Sequence, residues 1–140
     1  MEFIRNDGGR AAAGYRGTCR DCVCRSIAIA AELSYKEVYN DLREVLKYWP
    51  ASYKHRRSPR NGVCTSATNF HDYMTRLGFR YVSLKGQGLS IRDDAPLPNG
   101  RLAVSLRGHY AAVVDNVLHD AYDSRRNRHI GIEGYWIRGE

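Results

Sequence analysis

Apolar and polar positions divide the chain into two halves of different rhythm. Val23, Ile27, Ala30 and Ala31 make a stripe with i, i+4 and i+7 steps, which predicts a first helix opening near Asp21, with Asp21 or Thr18 as its cap. Ser34-Tyr35-Lys36-Glu37 has the spacing of a capping box, Ser34 as N-cap and Glu37 at N3. Val38, Leu42, Val45 and Leu46 then supply the apolar face of a second helix. Trp49-Pro50 ends it, because the residue before a proline is pushed out of the helical region. A basic loop runs to about Gly62. A third helix begins near Thr65 or Ser66, with Phe70, Tyr73, Met74 and Leu77 on one face and Gly78 as its stop.

From Phe79 the pattern becomes that of strands. Phe79 to Leu84 is the first, and Lys85 to Gly100 is a loop holding a short strand at Leu89 to Ile91. Arg101 to Leu106, Tyr110 to Val114 and Val117 to Ala121 follow in close order, the last two joined by the two-residue turn Asp115-Asn116. Glu133 to Arg138 is the final strand. Helices before strands predict an α+β fold, with N-terminal helices packed on a small C-terminal antiparallel sheet. No repeat or linker interrupts the pattern, so residues 1–140 read as a single domain.

Composition narrows the class. At 140 residues, 43% hydrophobic and 11% aromatic, the chain can bury roughly two-thirds of its unfolded surface, enough for a core without staples. No run approaches the ~20 apolar residues of a membrane helix. The first nine residues lack the apolar core of a secretory signal, so the expected location is cytoplasmic. Net charge is +7, with arginines concentrated at Lys54 to Arg60 and Arg125 to His129. Such runs are usually solvated loops. A nucleic-acid partner is a secondary reading, because neither a recognition helix nor aromatic-basic interleaving accompanies them.

Three of the four cysteines fall within "CRDCVC", residues 19–24. They sit too close together for a disulfide framework, and free thiols are expected. A redox Cys-X-X-Cys opens a helix after a strand, and no strand is read here. Structural zinc prefers two spaced pairs; Cys64, His71 and His129 supply no second pair. On a helix starting at Asp21, Cys22 and Cys24 point about 200° apart, which disfavours a shared metal. Cys24 and Cys64 read as small buried residues and Cys19 as a bystander. Cys22 lies at a helix start, where the partial positive charge favours a thiolate.

The hairpin supplies partners for such a thiolate. A turn at Asp115-Asn116 pairs Val114 with Val117, Val113 with Leu118 and Ala112 with His119. Directly paired residues share a face, and successive residues alternate. His109 and Asp120 therefore lie diagonally on one face, at a backbone distance of ~7–8 Å that side chains can span. A carboxylate beside an imidazole fixes its tautomer and stabilises its charged form. Taken singly, each residue has an ordinary structural role available: His109 as a strand-start residue, and Asp120 in a turn with Asp123 and Ser124.

"DCVCRSIAIA" and "GHYAAVVDNVLHDAYD" resemble the nucleophile helix and the histidine-bearing hairpin of the papain-like cysteine peptidase superfamily, in particular its bacteriocin-processing and NlpC-type members. The chain is also similar, over most of its length, to small uncharacterised proteins of phage and prophage genomes. The first resemblance implies a papain-like fold without cofactor or metal, and a peptide or protein as substrate. Cys22 would be the nucleophile, His109 the base and Asp120 its orienting residue. Those peptidases place an oxyanion-hole glutamine before the cysteine; Tyr15-Arg16-Gly17-Thr18 has none. Arg16, Thr18, Gln87 or the backbone N–H of Cys22 are the candidates to replace it. The expected activity is cleavage of an amide in a peptide, isopeptide or peptidoglycan stem through an acyl-enzyme. The alternatives are a peptidase-like module that binds without cleaving, a basic nucleic-acid-associated phage protein, or a zinc-stabilised interaction module.

Overall fold

The computed structural model describes residues 1–16, 20–47, 59–63, 65–93, 96–126 and 131–138. Among these residues, three helices, α1 (Cys22–Ala31), α2 (Tyr35–Leu46) and α3 (Thr68–Arg76), accompany six strands: β1 (Glu2–Arg5), β2 (Phe79–Ser83), β3 (Arg101–Leu106), β4 (His109–Val114), β5 (Val117–Asp120) and β6 (Ile132–Arg138). The strands form one sheet in the order β1-β5-β4-β3-β6-β2. The fold is α+β, as the two rhythms predict.

The sheet is mixed, not purely antiparallel. β1 precedes the helices and adds to the edge beside β5 in parallel register, Phe3 opposite Leu118 and Arg5 opposite Asp120. Glu2-Phe3-Ile4-Arg5 carries little apolar signal. Phe3 is half-buried and packs against the apolar core while Ile4 is 48% exposed, so pairing with β5 and this single apolar contact, not an alternating apolar face, make this segment a strand.

Two other expectations shift. Helix α3 opens at Thr68 behind Ala67, not at Thr65 or Ser66, and Ala67 makes no side-chain cap bond. The Thr65 carbonyl is instead hydrogen-bonded to His71 Nε2 at 2.9 Å, holding the preceding turn against the helix. In place of a strand at Leu89 to Ile91 there is an isolated bridge from Ser90 to Gly131, followed by a 3-10 turn over Ile91–Asp93. Trp49-Pro50 lies outside the described residues; α2 ends at Leu46 with Lys47 as its C-cap.

Apolar clusters cover both faces of the sheet. One joins the three helices to Ala103, Tyr110 and Trp136. The other gathers Leu102, Val104, Ala111, Val113 and Leu118, the alternate positions of the same strands, under Ile91. Helix α1 is wedged between α2 and strands β3 to β5. Eight of its ten residues are buried; the exceptions are Cys22 and Arg25. Its small residues, Ala28, Ala30 and Ala31, permit close packing on two sides.

Candidate active site

The hairpin has the predicted register: Val114 faces Val117, Val113 faces Leu118 and Ala112 faces His119. Asp115 (φ 47°) and Asn116 (φ 65°) are both left-handed, the conformation a two-residue hairpin turn demands. Asx residues tolerate it at low cost. The register brings His109, first residue of β4, to Asp120, last residue of β5, with Nε2 2.6 Å from Oδ2. Asp120 is 3% exposed. Its other oxygen, Oδ1, accepts the Ala121 N–H at 2.7 Å. The ring of Tyr122 lies over His109, centroids 5.3 Å apart and planes 31° off parallel, covering the imidazole from solvent.

Cys22 approaches from the other side. It is the first residue of α1, and at the far end of that helix Arg101 Nε donates to the Ala30 carbonyl at 3.0 Å and Arg138 Nη1 to that of Ala31 at 2.8 Å. These cations meet the negative end of the helix and fix its axis. Cys22 and His109 line one cleft of about 370 Å3, with Arg20, Thr65, Ser66 and Glu133 also on its walls. Three larger hollows contain none of the three candidate residues: two, of about 530 and 430 Å3, border α2, and one of about 490 Å3 lies beside Leu89 and Ile132.

The electrostatics of His109 follow from this placement. Burial opposes its charged form, but hydrogen bonds to Asp120 and to Cys22, with the charges of both, outweigh it and push the imidazole up to about 9 from an ordinary 6.5. With Nε2 facing Asp120, Nδ1 is the ring nitrogen left for the thiol.

A second buried charge cluster adjoins the first. Asp21 occupies the N-cap position of α1 yet makes no side-chain cap bond, a departure from the predicted role. Its fully buried carboxylate binds Arg25 Nη1 through Oδ1. Oδ2 accepts the Tyr35 hydroxyl at 2.5 Å and lies 3.2 Å from Arg10 Nε. Arg25 Nη2 in turn lies 3.8 Å from Asp120 Oδ1. Arg10 comes from the loop after β1, which packs closely on α1. A Cβ on Gly8 (φ +70°) would stand 2.9 Å from the Arg25 carbonyl oxygen, so this position requires glycine both sterically and conformationally.

The three predicted catalytic residues are thus brought together, whereas the oxyanion candidates are not. Gln87 and Arg16 are exposed, and neither is among the described residues lining the cleft. The Arg16 carbonyl accepts from Arg10 Nη2 at 3.0 Å. Thr18, Cys19, Cys64 and His129 lie outside the described residues. Cys24 is fully buried, its sulfur 3.8 Å from the Tyr35 carbonyl, and both it and Cys22 are free thiols. Arg10, Arg25, Tyr35 and Tyr122 escape sequence reasoning because each acts across elements and follows no local spacing rule.

The chain matches no family model, no curated protein and no solved structure at a significant level. Among the described residues, no helix is long and apolar enough to cross a membrane.

Proposed function

We propose that the protein is a papain-like cysteine hydrolase that cleaves an amide in a peptide or protein. The observation that carries this reading is His109, bonded to buried Asp120 through Nε2 and sharing a cleft with Cys22 at a helix start. The Cys22 thiolate attacks the carbonyl carbon. The backbone N–H of Cys22, in the first turn of α1 where amides lack intrahelical acceptors, donates to the developing oxyanion. The C–N bond then breaks and the amine leaves with a proton from His109. Water, deprotonated by His109, cleaves the resulting thioester, releasing the carboxylic acid and restoring the thiol. Asp120 keeps the ring oriented through both halves of the cycle.

The exposed placement of Arg16 and Gln87 favours a second reading, a module of the same architecture that binds peptides without turnover. Loss of one oxyanion donor costs about 10²–10³ in rate in a well-studied protease. Iodoacetamide labelling across pH, mapped by mass spectrometry on wild type and His109→Ala, tests the shared chemical core. Cys22 is expected to label fastest and to stay reactive near pH 6, losing that reactivity by about a hundredfold without His109. Equal labelling of Cys19, Cys22 and Cys24 with an ordinary thiol profile would reject both forms of the reading.

A further inference from the structure

We infer that Arg25 is a positioning residue of this site, a clamp that ties the strand carrying Asp120 to the helix start carrying Cys22; the inference rests on the hydrolase reading above. Arg25 lies three residues after Cys22, on the same side of α1, and its side chain is only 13% exposed. Its guanidinium faces two buried carboxylates at once: Nη1 binds Asp21 Oδ1, and Nη2 lies 3.8 Å from Asp120 Oδ1. Asp21 directly precedes Cys22, while Asp120 holds His109. One planar group therefore spans both sides of the thiol–imidazole contact.

The clamp also settles which way Asp120 turns. With Oδ1 held by the Ala121 N–H and facing Arg25, Oδ2 is the oxygen presented to His109. Two arginines, Arg10 and Arg25, balance two aspartates, Asp21 and Asp120, so the cluster is neutral before Cys22 and His109 are counted. Lysine is not equivalent here, because a single ammonium on a flexible stem cannot hold two carboxylates in a fixed fork.

The test compares Cys22 alkylation by iodoacetamide at pH 6 and pH 10 in wild type, Arg25→Gln and Arg25→Lys. At pH 10 any accessible thiol is ionised with or without its imidazole, so only the pH 6 rate depends on the alignment of His109. Arg25→Gln is expected to lose about tenfold at pH 6 and less than twofold at pH 10, with Arg25→Lys recovering part of the difference. A role confined to folding would lower neither rate in the folded protein, or both together. Should Arg25→Gln fail to fold, Arg25→Lys, which keeps a cation beside both carboxylates but not the fork, is expected to show a smaller loss of the same kind, confined to pH 6. Full wild-type reactivity at pH 6 in a folded variant would overturn the clamp alone. A wild-type Cys22 unreactive at pH 6 would overturn the hydrolase reading and the clamp with it.

Discussion

Helices α1 and α2 begin differently, although each has a good capping residue at its start. Ser34 caps α2 in the ordinary way: its backbone is extended (φ −67°, ψ 149°) and its Oγ accepts the Glu37 N–H at 3.1 Å. Asp21, in the same position on α1, has φ −105° and ψ 23° and makes no cap bond. Its carboxylate is turned inward to Arg10, Arg25 and Tyr35. Ser34 follows the local rule and caps its own helix. Asp21 gives up a local bond for a buried ionic cluster beside the one partly exposed cysteine described. Local rules are most often broken where a protein needs a particular geometry for chemistry.

Exchanging the two cap residues should separate these roles. Asp21→Ser retains a good cap residue but removes the buried carboxylate that Arg10, Arg25 and Tyr35 face. Removing one partner of a buried ion pair costs about 3–5 kcal/mol, and urea unfolding should register a loss of that size. A loss below about 1 kcal/mol, the ordinary scale of a cap, would reduce Asp21 to a helix cap.

The next effect in size concerns pH. His109 is raised to about 9 in the folded chain against about 6.5 unfolded. The charged form is therefore favoured by folding. Its contribution is fully present below pH 6.5 and is lost as pH rises through about 9. The shift corresponds to roughly 3 kcal/mol at 1.36 kcal/mol per pH unit. Urea unfolding midpoints should accordingly fall between pH 6.5 and 9, and a flat profile would contradict the buried pair. The smallest effect belongs to α2. Ser34→Asp should change stability by less than about 0.5 kcal/mol, since the two residues cap nearly equally well, and should leave Cys22 alkylation unchanged. An altered Cys22 rate would mean that the Ser34 cap reaches the site through Tyr35, the next residue, which bonds Asp21.

What the sequence made legible was whatever repeats at short range. The stripe Val38, Leu42, Val45, Leu46 and the box at Ser34 define α2, and all four apolar residues are buried. Strand parity about Asp115-Asn116 was sufficient to pair His109 with Asp120. The thiol at residue 22 could be singled out from its neighbours because a helix start and an imidazole are both recognisable locally. β1 was hidden because four residues with an exposed Ile4 lack alternation, and their partner strand lies more than a hundred positions away. Arg25 was hidden for a related reason. In the sequence it is one of many arginines, and only the packed fold shows that its guanidinium meets carboxylates from two elements.

The central claim is that His109 sits charged between Asp120 and Cys22, and an NMR titration of its imidazole tests this most directly. With nitrogen-15 histidine labelling, His109 should titrate near pH 9, with its Nε–H resonance shifted downfield by the carboxylate bond. In Asp120→Asn the midpoint should fall toward the ordinary histidine range. A midpoint near 6.5 in wild type, unchanged by Asp120→Asn, would contradict the account.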